Sequence, residues 1–249
     1  MHSFLSARRW ALPCGLAALA ALVVAACAPA AQAAGLALLC ALMVLACIGW
    51  GRLLARALGL ALPVEIELLL GFCVAAHALA LPVMALGWPI AALGAALGVG
   101  ALGCAAPARE ERGGGLLLLG LLLAAGFALI WALETAGRAA SFPAGGPYRL
   151  WMDGFIHAGI IAEFGDPRSI GLRNSAMAGA PAPLYHAVSH AVAGLAVRAT
   201  GIAPLDSLAG FWMPFGIWLT AMGVLALGRA LAGAAGGALA LALLALLPD

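Results

Sequence analysis

Residues 149–198 read RLWMDGFIHAGIIAEFGDPRSIGLRNSAMAGAPAPLYHAVSHAVAGLAVR and gather the charge, histidine and proline that the rest of the chain avoids. On either side the residues suit lipid: 65% of the 249 are hydrophobic and 9% charged, against roughly a quarter charged in a soluble domain. Apolar runs of about 20 residues match the length of helix that crosses the hydrocarbon core, and none alternates like a barrel strand. The fold class that follows is an all-α integral membrane protein, a bundle of about 8 transmembrane helices. One long outer loop carries a short amphipathic surface helix.

Working outward, residues 1–134 form an N-terminal membrane region with five helices. The first, after Arg8 and Arg9, is signal-like; the reading retains it as a helix with a cytoplasmic N-terminus, although Val24–Cys27 and Ala31–Ala33 resemble cleavage sites. Arg52 and Arg56 close the second span and place that end in the cytoplasm, because cytoplasmic loops carry the excess of basic residues. Trp88 and Pro89 make an outer turn, and Arg109 to Arg112 return the chain to the cytoplasmic side. Alternation then puts residues 135–182 outside, periplasmic in a bacterium whose inner membrane would hold the protein. Arg138, Arg149, Asp153, Glu163, Asp166, Arg168 and Arg173 fit that position, since burying seven charges mid-bilayer would cost roughly 20 kcal/mol. Residues 183–249 read as three further membrane helices, with Arg198 at a cytoplasmic end and Arg229 on the outer side. The chain is expected to be the front part of a longer protein.

Several function classes drop out. A net charge of +2 with no basic run gives nucleic acid nothing to grip. Six cysteines, none in the long polar loop, match neither a disulfide framework nor a zinc ribbon. Gly98, Gly100 and Gly103 spell GxGxxG inside an apolar run with no strand before it, so they are read as packing residues rather than a nucleotide fingerprint. Gly94 with Gly98, and Gly233 with Gly237, have the spacing that lets membrane helices approach closely.

Chemistry concentrates in the long loop. Residues 151–164 predict the surface helix, with Ile156, Ile160 and Phe164 on one stripe and Asp153 and His157 one turn apart on a neighbouring face. His186 and His190 are likewise four residues apart at the start of the sixth predicted span. Asp153, His157, His186 and His190 are therefore candidate ligands for a divalent or transition-metal ion, and equally candidate hydrogen-bonding partners. Asp153 also suits a helix cap.

The aspartate on a surface helix after an outgoing span, the small-residue stretch 178–183 and the Pro-Leu-Tyr entry to the next span together resemble the GT-C superfamily of membrane glycosyltransferases. The nearest likeness is to its "YYY" membrane-domain branch. The resemblance covers about residues 130–230. It puts Asp153 on the family's loop aspartate and Tyr185 and His190 on its Tyr-run-and-His motif, while Gly154, His186 and Ala187 depart from the pattern. It implies transfer of a sugar from a polyprenyl-phosphate-linked donor to an acceptor lipid, glycan or protein on the outer face of the lipid bilayer. Asp153 would serve as catalytic base or hold a divalent metal ion. Arg149, Arg168 and Arg173 would meet the phosphate, and His157, Tyr185, His186 and His190 would line the substrate site. The other reading of the same residues is a non-enzymatic transporter or cell-envelope scaffold with a histidine-based metal site.

Overall fold

The computed structural model describes residues 2–86, 89–106, 115–140, 153–165 and 187–246. Every regular element among them is helical: α1 (His2–Cys27), α2 (Ala33–Ala57), α3 (Val64–Leu86), α4 (Pro89–Cys104), α5 (Gly115–Ala140), α6 (Asp153–Gly165), α7 (Ala187–Thr200), α8 (Pro204–Ser207) and α9 (Met213–Leu246). Five helical segments are long and apolar enough to cross a bilayer, beginning at Trp10, Ala33, Val64, Gly115 and Pro204. Large apolar side chains stand exposed around the bundle, among them Leu22, Leu81, Leu102, Ile130 and Leu239. Hydrocarbon is the surrounding that tolerates such a surface, and the protein is a helical membrane protein.

Glycine sets the spacing of α2, α3 and α4. A Cβ added at Gly71 of α3 would lie 1.6 Å from the Cys47 carbonyl oxygen of α2, and one at Gly49 of α2 would lie 1.8 Å from the Gly100 carbonyl oxygen of α4. Only bare backbones can approach so closely. Gly100 and Gly103 therefore pack as the sequence reading of GxGxxG expects, but Gly94 and Gly98 have nothing within 4 Å of an added Cβ and do not form the anticipated contact. Where α2 ends, Gly59 takes φ +68°. Its N–H donates to Arg56 O while the Leu60 N–H donates to Ala55 O, the two-bond cap that needs a left-handed residue at this position.

The α2–α3 end of the bundle holds four charged side chains, all largely buried. Arg52 Nε donates to Glu67 Oε2 at 2.8 Å and Arg52 Nη1 to the Cys104 carbonyl at 3.0 Å, which ties α2 to α3 and α4. Arg229 of α9 pairs with Glu65 of α3. Removing such groups from water costs several kcal/mol per ion, so each is tolerable only with its partner in place.

That second pair corrects the topology read from sequence. Glu65 follows Arg52 and Arg56 on the expected cytoplasmic side, yet Arg229, expected outside, is bonded to it. The opposite end explains why. Gly210 sits within 3.1–3.3 Å, measured from an added Cβ, of Cys27, Ala28 and Pro29 at the α1–α2 turn, and the Thr200 methyl lies against Gly35 at the start of α2. The chain thus leaves α5 and re-enters at α9 on the same α1–α2 end, making no net crossing between them. The expected sixth span is not a crossing, and Arg198 lies with the α1–α2 end rather than across the bundle from it. Helix α7 has 14 residues, about 21 Å, shorter than a hydrocarbon core.

Helix α9 is a hairpin. Non-helical Ala232 and Gly233, the latter at φ +71°, reverse the chain. Its second limb, 234–246, then packs back on the first, with an added Cβ at Gly228 lying 2.7 Å from Gly236 O. Gly233 therefore makes the turn, while Gly228, Gly236 and Gly237 make the close approach.

Two measurements check this arrangement. In a cysteine-depleted background, Ala31→Cys and Ala199→Cys react with a membrane-impermeant maleimide from one side and Ala57→Cys from the other; Ala199 grouping with Ala57 would restore the crossing α7. Gly71→Ala lowers stability in detergent by about 1–3 kcal/mol, the range for overpacking a tight contact, while Gly98→Ala, which meets open space, leaves the melting temperature unchanged or slightly raised.

Candidate functional site

Helix α6 begins after Gly145-Gly146-Pro147 in sequence and stops at Gly165, before Pro167, which cannot continue a helix. Of the predicted stripe, Phe164 is buried and Ile160 packs half-buried against the core, while Ile156 is exposed. Ala158, Ile161 and Phe164 are buried against α7 and the residues after α8, whereas Ile156 and Phe155 are exposed. The cause lies in the partner: Gly194 of α7 has no side chain, and a Cβ there would come 2.2 Å from Phe164 Cβ. The helix is therefore docked along α7, not resting alone on a surface. Contacts run His157 with His190, Phe164 with Gly194 and Gly165 with Val197, so α6 and α7 point the same way.

This parallel docking brings two of the candidate residues together. His157 Nδ1 lies 2.9 Å from His190 Nε2, with the rings nearly coplanar in orientation at 18° and centroids 4.9 Å apart. His190 is only 3% exposed and His157 is half-buried. On its other side His190 Nδ1 is 3.2 Å from Ser189 Oγ. A nitrogen-to-nitrogen bond holds one hydrogen, so one ring donates and the other accepts. Either direction is compatible with Ser189, whose hydroxyl can donate or accept.

Two further groups complete the setting, and neither was singled out from sequence. Trp212 packs 6.2 Å from the His190 ring and stacks on Phe72 of α3, at 6.1 Å and 29°. Ser207 Oγ donates to the Ala193 carbonyl at 3.0 Å, fastening α8 to α7 one turn past His190. Trp212 ends a π-helical turn, Leu208–Trp212, that leads into α9. Pro214 accounts for it: lacking an N–H and crowding the carbonyl four residues back, proline disrupts the regular ladder here, and π-turns tend to occur at functional sites. The sequence signal was present in the run Gly-Phe-Trp-Met-Pro.

Asp153 opens α6 one turn before His157, so its backbone stands at the α7 side of the bundle, but its side chain lies outside the described residues. Arg149, Arg168, Arg173, Tyr185 and His186 lie outside them too. Of the proposed metal ligands, His157 and His190, the two whose side chains are described, meet, and no group of three His, Cys, Asp or Glu gathers among the described side chains. Two imidazoles alone do not make a transition-metal site, which needs at least a third protein ligand. The remaining described histidine in a membrane helix, His77, bonds through Nδ1 to the Cys73 carbonyl oxygen at 2.7 Å within its own helix and has no part here.

Comparison of the chain with protein families, curated proteins and solved structures gives no match. The site's own geometry must therefore carry any functional reading.

The docking itself is testable. Gly194→Val places methyl groups where Phe164 now sits and separates α6 from α7, with an expected loss of about 1–3 kcal/mol. Gly216→Ala, on open helix surface, serves as the control and is expected to melt with the wild type.

Proposed function

We propose that this chain is the membrane part of a GT-C-type glycosyltransferase that moves a sugar from a polyprenyl-phosphate-linked donor to an acceptor hydroxyl at the outer face of a bacterial inner membrane. The observation that carries the reading is the docking of α6 on α7: Asp153 opens α6, and one turn later His157 of the same helix meets His190. A carboxylate one turn from two histidines in an otherwise apolar bundle is a group that can take a proton from an acceptor hydroxyl.

Orientation follows from arginine. Arg8, Arg9, Arg52, Arg56 and Arg229 belong to the α2–α3 end or to the helix that starts there, and Arg109 and Arg112 to the connection between α4 and α5. These are seven of the twelve basic residues, against Arg198 alone at a helix end on the opposite side away from the long loop. That end is cytoplasmic in this reading, and the α1–α2 end, which the last turn of α7 reaches, is outside. Against the about eight spans expected from sequence, five helical segments among the described residues are long and apolar enough to cross.

The chemistry needs few groups. A sugar on a lipid phosphate already carries a good leaving group, so no acid is required to expel it. As the acceptor oxygen bonds to the anomeric carbon, the carbon–oxygen bond to phosphate breaks with its electron pair, and Asp153 accepts the hydroxyl proton. Arg149, Arg168 and Arg173, within the same stretch of sequence, would meet the phosphate through the paired N–H groups that guanidinium offers and ammonium does not. No step here requires a metal.

Asp153→Asn keeps the shape and removes the base. Transfer from a radiolabelled polyprenyl-phosphoryl sugar, measured in membranes holding the full-length protein, is expected to fall about 100-fold or more. Undiminished transfer would overturn the role given to Asp153.

A further inference from the structure

We propose that two copies of this chain pair in the membrane along the outward face of α3, each His77 accepting a hydrogen bond from the Cys73 thiol of the other copy. The inference goes beyond the transferase reading and does not depend on it. It rests on a polar atom that α3 turns toward lipid.

Helix α3 has 23 residues and buries one side in the bundle through Leu68, Gly71, Ala75 and Leu79. On the other side Leu70, Cys73, His77 and Leu81 stand exposed, three or four residues apart along a single stripe. At 1.5 Å per residue His77 lies about 20 Å along the helix from Val64 and about 14 Å from Leu86, inside the hydrocarbon rather than at its edge. Its Nδ1 is 2.7 Å from the Cys73 carbonyl oxygen. A carbonyl only accepts, so Nδ1 carries the hydrogen, and in the uncharged ring Nε2 is then a bare acceptor. Among the described residues nothing donates to it. Hydrocarbon has no donor to offer, and histidine is one of the side chains that membrane helices use to bond across to one another.

The same stripe carries a donor of its own, the exposed Cys73 thiol. Side chains on a helix lean toward its N-terminus, and the bond to the Cys73 carbonyl shows the His77 ring doing so, which brings Nε2 down to the level of Cys73. Two copies inserted in the same sense and related by a two-fold axis along the membrane normal hold like residues at like depth. The thiol of one copy then stands at the depth of the imidazole acceptor of the other, and the bond forms twice, once in each direction. A thiol is a weak donor, but a lipid tail has none and a headgroup does not reach this depth. Cys73 is also small enough to let the two backbones come close. The face is thus complementary to itself, which commits it to a second copy of this chain.

The test uses the full chain in lipid vesicles, oxidised with copper phenanthroline and separated without reductant. Cys14 and Cys73 are exposed and the other four cysteines buried. Wild type and Cys14→Ala are therefore expected to give a disulfide-linked dimer, and Cys73→Ala none. A dimer that needs Cys14 instead, or a yield that falls in proportion as the protein is diluted tenfold in lipid, would overturn the pairing. Energy transfer between copies labelled at the N-terminus reads association without oxidation. There His77→Leu, which removes both bonds and faces lipid, is expected to weaken pairing about tenfold, and Cys73→Ala to act in the same direction. Absence of energy transfer in the wild type, or cross-linking only to some other membrane protein, would overturn the second copy as the occupant. Pairing indifferent to His77→Leu would overturn the part given to the histidine.

Discussion

A charge inside a membrane protein must find its partner, and two such partnerships fix this molecule. Arg52 with Glu67 locks the ends of α2, α3 and α4 together, and Glu65 with Arg229 draws the tip of the α9 hairpin to the same place. Breaking a buried pair leaves an uncompensated ion, at about 3–5 kcal/mol, whereas neither pair adds much over apolar packing. Their service is to specificity. With Glu65 fixed at the start of α3, the first limb of α9 has to run from the α1–α2 turn toward Arg229. The end of α5 and the start of α9 thereby fall on the same side of the bundle.

Between those two helices in sequence, α6 and α7 lie side by side and parallel. Parallel docking, permitted by bare Gly194, is in turn what presents His157 to His190. Neither histidine would be notable alone. Set nitrogen to nitrogen, with Ser189 behind and Trp212 alongside, they make a polar chain at the edge of an apolar body.

The helices with long apolar runs were legible in sequence, since length and hydropathy suffice to find α1, α2, α3 and α5. Helix α6 was legible from the turn residues around it. Which face it buries was legible in part: Phe164 and half-buried Ile160 of the predicted stripe pack inward while Ile156 is exposed, and a glycine on a distant helix decides the close approach at Phe164. The direction of α7 was hidden for a different reason. Residues 183–198 are apolar enough to read as a span, and nothing local separates a helix that crosses from one that turns back. Counting it as a crossing inverted every assignment after it, which is why Arg229 was expected on the wrong side. In the site, the spacing of Asp153 to His157 was visible, while the meeting of His157 with His190, 33 residues on, depends on tertiary packing.

The long sequence separation within one ion pair bears on how the protein is made. Glu65 enters the membrane early, and its partner Arg229 is synthesised 164 residues later. Until then the contact between Glu65 and Arg229 that ties α3 to α9 is not yet made, so the bundle can close on itself only when the hairpin of α9 arrives.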